Sequence, residues 1–175
     1  MMATAHCWIS TQSGTRIDLL HPKPEQIHIE DIAHGLSQTC RFAGQCPAFY
    51  SVAQHSVLVS RLVPETFALH GLLHDASEAF MGDLHSGLKR LLPDYRALEH
   101  RVLAAIFRHF GLNDQALKPA PVALADRQAL LLELQALEMD TSMAEPVAVP
   151  DLDLQPWSSR EARQAFLHRF AELAG

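Results

Sequence analysis

The chain has 175 residues, a formal net charge of −6, 48% hydrophobic and 19% charged residues. That length supports one domain with a proper core, and the acidic balance argues against a broad polyanion-binding surface, so a nucleic-acid polymer is not an expected partner. No apolar run is long enough to span a bilayer, so no membrane association is expected. Ala and Leu are abundant while strand-forming residues are sparse, which favours helices. The three cysteines, Cys7, Cys40 and Cys46, show no zinc-type spacing. Their odd number and the lack of a signal peptide point to reduced thiols and a cytoplasmic setting. Cys46 reads as a bystander.

In chain order, residues 7–11 and 15–19 are extended candidates around a Ser13-Gly14 turn, which predicts a short N-terminal hairpin. Pro22 and Pro24 then break regular structure. Ile29, Ile32, Ala33 and Leu36 form an apolar stripe at helical spacing and predict a helix over 29–40, with Gly44 as a stop. A second helix is expected over 51–62, carrying His55. A third runs over 64–75, with Pro64 in its first turn. A shorter helix follows over 83–91 and carries Lys89 and Arg90. Residues 94–110 and 122–139 read as longer helices, the second bearing Asp126. Residues 141–156, rich in Pro, Ala and Val, are expected to form a long surface loop. Ser158 or Ser159 caps a last helix ending near Leu173. The whole chain, 1–175, is expected to be one domain: a ribbon over 1–24, a helical core over 29–139, and a loop with a final helix over 141–175.

The chemistry concentrates between Leu72 and Leu84. There His74, Asp75, Glu78 and Asp83 follow an apolar run, where charge is costly unless it is paired or metal-bound. On a helix, His74 and Asp75 both lie near Glu78, and Gly82 allows a sharp turn that could return Asp83 to the same point. His74 and Asp75 read as two ligands of one metal ion, with Glu78 and Asp83 as acid/base groups. His55, on an otherwise apolar helix, and Asp126, within Ala123-Leu124-Ala125-Asp126, are candidates for the remaining ligands. Mixed imidazole and carboxylate donors suit a single divalent ion of the Mn, Fe, Co, Ni or Zn series.

The series His55, His74-Asp75, Asp126 on successive helices resembles the H…HD…D signature of the HD-domain metal-dependent phosphohydrolases. The stretches Ser51-Val52-Ala53-Gln54-His55-Ser56, His74-Asp75-Ala76-Ser77-Glu78 and Gly82-Asp83-Leu84 resemble more closely the small bacterial HD-domain 5′-nucleotidases and the related phage deoxynucleotide triphosphohydrolases. The resemblance covers residues 29–134. It implies an all-α HD-domain bundle of about six or seven helices behind the hairpin, one ion held by His55, His74, Asp75 and Asp126, and a homo-oligomer, dimer or higher. It also implies that Glu78 and Asp83 assist hydrolysis. The family's arginine-tryptophan pair that helps hold the nucleotide is matched here by Arg41-Phe42, with Phe in place of Trp.

On this reading the protein is a phosphohydrolase of small-molecule nucleotides. A bound ion would activate water and polarise a phosphoryl oxygen, Glu78 would orient or deprotonate the water, and Asp83 would position water or protonate the leaving oxygen. Arg41, with Phe42 beside it and Lys89 nearby, would hold the phosphate. Nucleoside monophosphates are the favoured substrates. The alternative is a deoxynucleoside triphosphate cleaved to nucleoside and triphosphate, which spare cations such as Lys89 and Arg90 would favour. A non-catalytic nucleotide-binding sensor is the reading from another class, and it could dispense with Glu78 and Asp83. Among the remaining histidines, His70 is expected to pack or hydrogen-bond, His34 to sit in the core, and His85 to lie in a partly exposed loop.

Overall fold

A computed structural model describes residues 7–142 and 154–175. Strands β1 (Trp8–Ser10) and β2 (Arg16–Asp18) pair antiparallel, with Ile9 opposite Ile17. Gly14 turns the hairpin at φ +87°, a left-handed conformation open to glycine. Ile17 is fully buried. The Ser13 amide and hydroxyl donate to the two Asp31 carboxylate oxygens at 2.8 and 2.7 Å. The ribbon is thereby tied to α1 (Ile29–Gln38).

The centre of the fold is α2 (Val52–Leu62). Ser51 caps it, its hydroxyl accepting from the Gln54 amide at 3.1 Å, and every residue from Val52 to Ser60 is buried. A helix enclosed on all sides must find partners for its polar side chains. Gln54 finds them in the segment before the last helix, donating to the Gln155 carbonyl at 2.8 Å and accepting from the Trp157 amide at 2.9 Å. Against α2 pack α3 (Ala68–Leu73), α7 (Ala120–Ala136) and α8 (Ser159–Ala174). Between α3 and α7 in the chain come α4 (Glu78–Met81), α5 (Ser86–Leu91) and α6 (Pro93–His109). Val102, Ile106 and Phe107 of α6 and Ala162 and Phe166 of α8 join Ile32, Leu36, Val57 and Leu72 in one apolar cluster. The described residues are thus all-α apart from the N-terminal hairpin, as expected, and they contain no helix long and apolar enough to cross a membrane.

Two glycines set the close approaches that matter to the site. A Cβ on Gly35 would fall on the Ala79 carbonyl, so α1 and α4 touch backbone to backbone there. A Cβ on Gly71 would lie 3.1 Å from Ser60 Cα, so α3 rides directly on α2.

Several element boundaries differ from those expected. The helix expected over 64–75 begins as a 3-10 turn (Glu65–Phe67) and its α-helical part ends at Leu73. His74 Nδ1 donates to the Gly71 carbonyl at 2.8 Å, taking up the acceptor that a continuing helix would offer to the Asp75 amide. The chain then tightens through Ala76 N to Leu73 O and Glu78 N to Asp75 O bonds before α4. The helix expected over 83–91 starts only at Ser86, because Gly82 turns at φ +81° and His85 caps α5, its Nδ1 accepting from the Gly87 amide. Ser158 is the cap of α8, in a reciprocal capping box with Glu161. Most of the loop expected over 141–156 lies outside the described residues.

Candidate metal centre

His55 projects from the first turn of α2, His74 and Asp75 from the tight turn after α3, and Asp126 from the second turn of α7. These four residues, separated in sequence, come together: one donor atom from each lies within 4.8 Å of the others. His55 Nε2 stands 3.1 Å from Asp126 Oδ1 and 3.7 Å from Asp75 Oδ2; His74 Nε2 stands 3.0 Å from Asp75 Oδ2 and 3.7 Å from Asp126 Oδ1. First-row metal–ligand distances of about 2.0–2.2 Å put neighbouring ligand atoms about 3–3.5 Å apart, close to the spacing here.

The two imidazoles are oriented from behind. His55 Nδ1 is 2.7 Å from Glu133 Oε1 and His74 Nδ1 is 2.8 Å from the Gly71 carbonyl. A carbonyl only accepts, and an ionised carboxylate only accepts, so each Nδ1 carries a proton and Nε2 is the ring atom left to face a cation. Both Nε2 atoms are buried and neither makes a hydrogen bond of good geometry, although carboxylate oxygens lie near. Such anchoring of the far nitrogen is what metal-ligating histidines require. The electrostatics agree. Burial opposes ionisation of Asp75 and Asp126, yet the imidazoles hold both carboxyls well below the ordinary aspartate range. Burial likewise opposes charge on His74, but Asp75 and Asp126 raise it to about 10. The cluster therefore favours positive charge at its centre, and its residues fit a divalent cation. Asp75 and Asp126 are the half-buried members, so the cluster opens to solvent on their side.

Glu78 lies one turn beyond Asp75 and is buried. Its Oε1 receives the Lys89 ammonium at 2.8 Å, while its Oε2 is buried without a hydrogen-bond partner. Burial, then Asp75 and Asp83, push its carboxyl well above the ordinary range, against the pull of Lys89. Asp83 is half-buried beyond the Gly82 turn; burial raises it, and Arg41 opposes that rise. Lys89 bridges Glu78 and Glu99, and these two acids keep its ammonium charged despite burial. Arg41 is buried, with Nη2 2.8 Å from Glu133 Oε2 and its guanidinium carbon 5.1 Å from the Phe42 ring.

Two residues of the site carry no mark in the sequence pattern strong enough to single them out. Glu133 is fully buried and joins His55 to Arg41 through its two oxygens. Its signal was an acid inside Leu130-Leu131-Leu132-Glu133-Leu134, two helical turns after Asp126 and so on the same face. Lys118, half-exposed, places its ammonium 2.5 Å from the outer oxygen of Asp126; it sits among prolines before α7, where no pattern marks it. His70 packs between the Phe67 and Phe107 rings, 5.9 and 5.7 Å away, and burial lowers its pKa. His85 is exposed and caps α5, and His34, expected in the core, is only half-buried on α1.

No family model matches the chain. Two relatives do, over nearly their full lengths. The chain is 40% identical over 172 residues to the uncharacterized protein YfdR of Escherichia coli (strain K12), covering 95% of this chain and 96% of that protein. It is 37% identical over 184 residues to the uncharacterized protein RCAP_rcc00048 of Rhodobacter capsulatus, covering 93% of each. At this level of identity, sustained along both partners, the chain belongs to the same protein family as YfdR.

Proposed function

We propose that the protein is a metal-dependent phosphohydrolase of the HD class, acting in the cytoplasm on nucleoside monophosphates. The observation that carries the reading is a pair of imidazoles, each anchored through Nδ1, facing two carboxylates, with the unpartnered Glu78 Oε2 close by. His55, His74, Asp75 and Asp126 would hold one divalent ion, which when bound supplies Lewis-acid polarisation of a phosphoryl oxygen and acidifies water.

The chain's own groups supply the rest. Glu78 Oε2 accepts the proton of the attacking water; the raised pKa of Glu78 brings it toward the operating pH, where general-base and general-acid efficiency is greatest. Lys89 holds Glu78 through Oε1, which keeps Oε2 directed away from that ion pair. Arg41, fixed through Nε and Nη2 by Glu133, offers its remaining guanidinium edge to a phosphate oxygen. Asp83, also raised, is the second group able to carry a proton, to the leaving oxygen.

The cations favour the shorter phosphate tail. Lys89 is engaged by Glu78 and Glu99, Lys118 by Asp126, and Arg90 is exposed on α5. A triphosphate would call on spare positive charge near the ligand cluster, and Lys89 and Lys118 are already paired with acids. The test is phosphate and nucleoside release from mono- and triphosphates by metal-stripped protein resupplied with Mn, Fe, Co, Ni or Zn. Metal-dependent release of inorganic phosphate from monophosphates is expected. Release of intact triphosphate would move the assignment to triphosphohydrolysis, and tight nucleotide binding without turnover would make the protein a sensor.

A further inference from the structure

Cys40 and Cys46 flank the segment that carries Arg41 and Phe42, and their sulfurs lie 3.6 Å apart. A disulfide requires about 2.05 Å, so a relative movement of about 1.5 Å joins them. Both residues are half-buried, within reach of a small reagent. The base of the segment is fixed: Cys40 bridges to Ser51, and the Arg41 amide donates to the Tyr50 carbonyl at 2.8 Å. The Cys46 thiol donates to the Arg41 carbonyl at 3.7 Å. Between the thiols, Phe42, Ala43 and Gly44 have φ of +56°, +52° and +73°. Two of these bear a Cβ, a conformation held only by its surroundings. The result is a short strained loop with a thiol at each end and, between them, the arginine whose side chain reaches Glu133.

We propose that Cys40 and Cys46 form a reversible disulfide with small-molecule disulfides as the oxidant, and that closing it reshapes the Arg41 loop and weakens anion binding at the neighbouring site. The second half rests on the anion-binding role given to Arg41 above; the first does not. The step is thiol–disulfide exchange. The Cys40 thiolate attacks one sulfur of the small disulfide, forms a mixed disulfide and expels one small thiolate. Cys46 then attacks the Cys40 sulfur, making the Cys40–Cys46 bond and releasing the second small thiolate. The protons of the two protein thiols end on the two released thiols, and the small disulfide takes up both electrons. Burial, together with Cys40, pushes the Cys46 thiol up, which suits it to the second, intramolecular attack over the first. Oxidation removes the hydrogen that Cys46 donates to the Arg41 carbonyl and draws the loop ends together.

The test equilibrates the full-length protein in graded ratios of oxidised to reduced glutathione. Intact mass and peptide mapping report the bond, and calorimetry with inorganic phosphate and Mn2+ reports the site. The expected result is loss of two hydrogens, a Cys40–Cys46 link, Cys7 still free, and phosphate affinity lowered at least about fivefold, all reversed by dithiothreitol. Cys46→Ser should show neither change. Persistent mixed disulfides, or links made to Cys7, would overturn the pairing. A Cys40–Cys46 link that leaves phosphate affinity unchanged would overturn the switch. Reduced protein that binds no phosphate would overturn the anion role of Arg41, and with it the switch, while mass still decides the thiol pair.

Discussion

Glu133 is a fully buried carboxylate whose two oxygens accept from two different donors, the His55 imidazole and the Arg41 guanidinium. Burial works against its charge, yet His55 and Arg41 hold its pKa below the ordinary value. Removing one member of such a group leaves a buried charge uncompensated. Glu133→Gln should therefore destabilise the fold by about 3–5 kcal/mol in urea unfolding. It should also weaken metal binding by about 10–100-fold, since His55 loses the partner that fixes its ring. A different signature is expected at Glu78. Glu78→Gln should keep one metal ion per chain while kcat for phosphate release falls by about 10²–10⁴-fold; metal loss in that variant would make Glu78 a ligand. Lys118 and Glu133 show why residue roles were only partly legible. The residues that could hold a metal ion occur in spaced, recognisable motifs, whereas the groups around them are defined by three-dimensional contact. A lysine among prolines or an acid in a leucine run is just as common on helix faces that have no site near them.

At the scale of elements, the two docking contacts of α1 make separate predictions. Gly35 meets the Ala79 backbone, and α4, to which Ala79 belongs, also carries Glu78. Gly35→Ala should push α4 away, costing about 1–3 kcal/mol by overpacking and lowering turnover with little change in metal affinity, as read by unfolding and calorimetry. Asp31 anchors the hairpin. Burial opposes its ionisation, but the Ser13 hydroxyl and amide, with Thr11 and His28, outweigh it and hold the carboxyl below 3.8. A folded-state pKa below the unfolded value stabilises the protein above pH 3.8, and this contribution is lost as the pH falls through the lower folded value. Asp31→Asn should thus cost about 1–3 kcal/mol at neutral pH, and its difference from wild type should shrink below pH 3.8. Helices α1, α2, α6, α7 and α8 were legible because their apolar residues extend over several turns, with side-chain caps at Ser51 for α2 and Ser158 for α8. The segment 64–91 was not, because its boundaries are set by one side-chain bond, His74 to Gly71, and by the Gly82 and His85 turns.

Across the whole molecule, the polar residues of a buried helix and the acids of two flanking segments converge at one place, while the apolar clusters close around them. Composition announced the helical class, and the motif spacing singled out the four residues that come together; their mutual distances and the Nδ1 anchors are properties of the packed molecule. The measurement that bears most directly on this arrangement is metal stoichiometry and affinity of the wild-type chain beside His74→Ala and Asp126→Asn, by elemental analysis and calorimetry. One divalent ion per wild-type chain, with binding lost or weakened by about 100-fold or more in both variants while their helical content is retained, is the predicted result. A folded wild-type chain that binds no divalent ion, or one whose binding is indifferent to both substitutions, would contradict it.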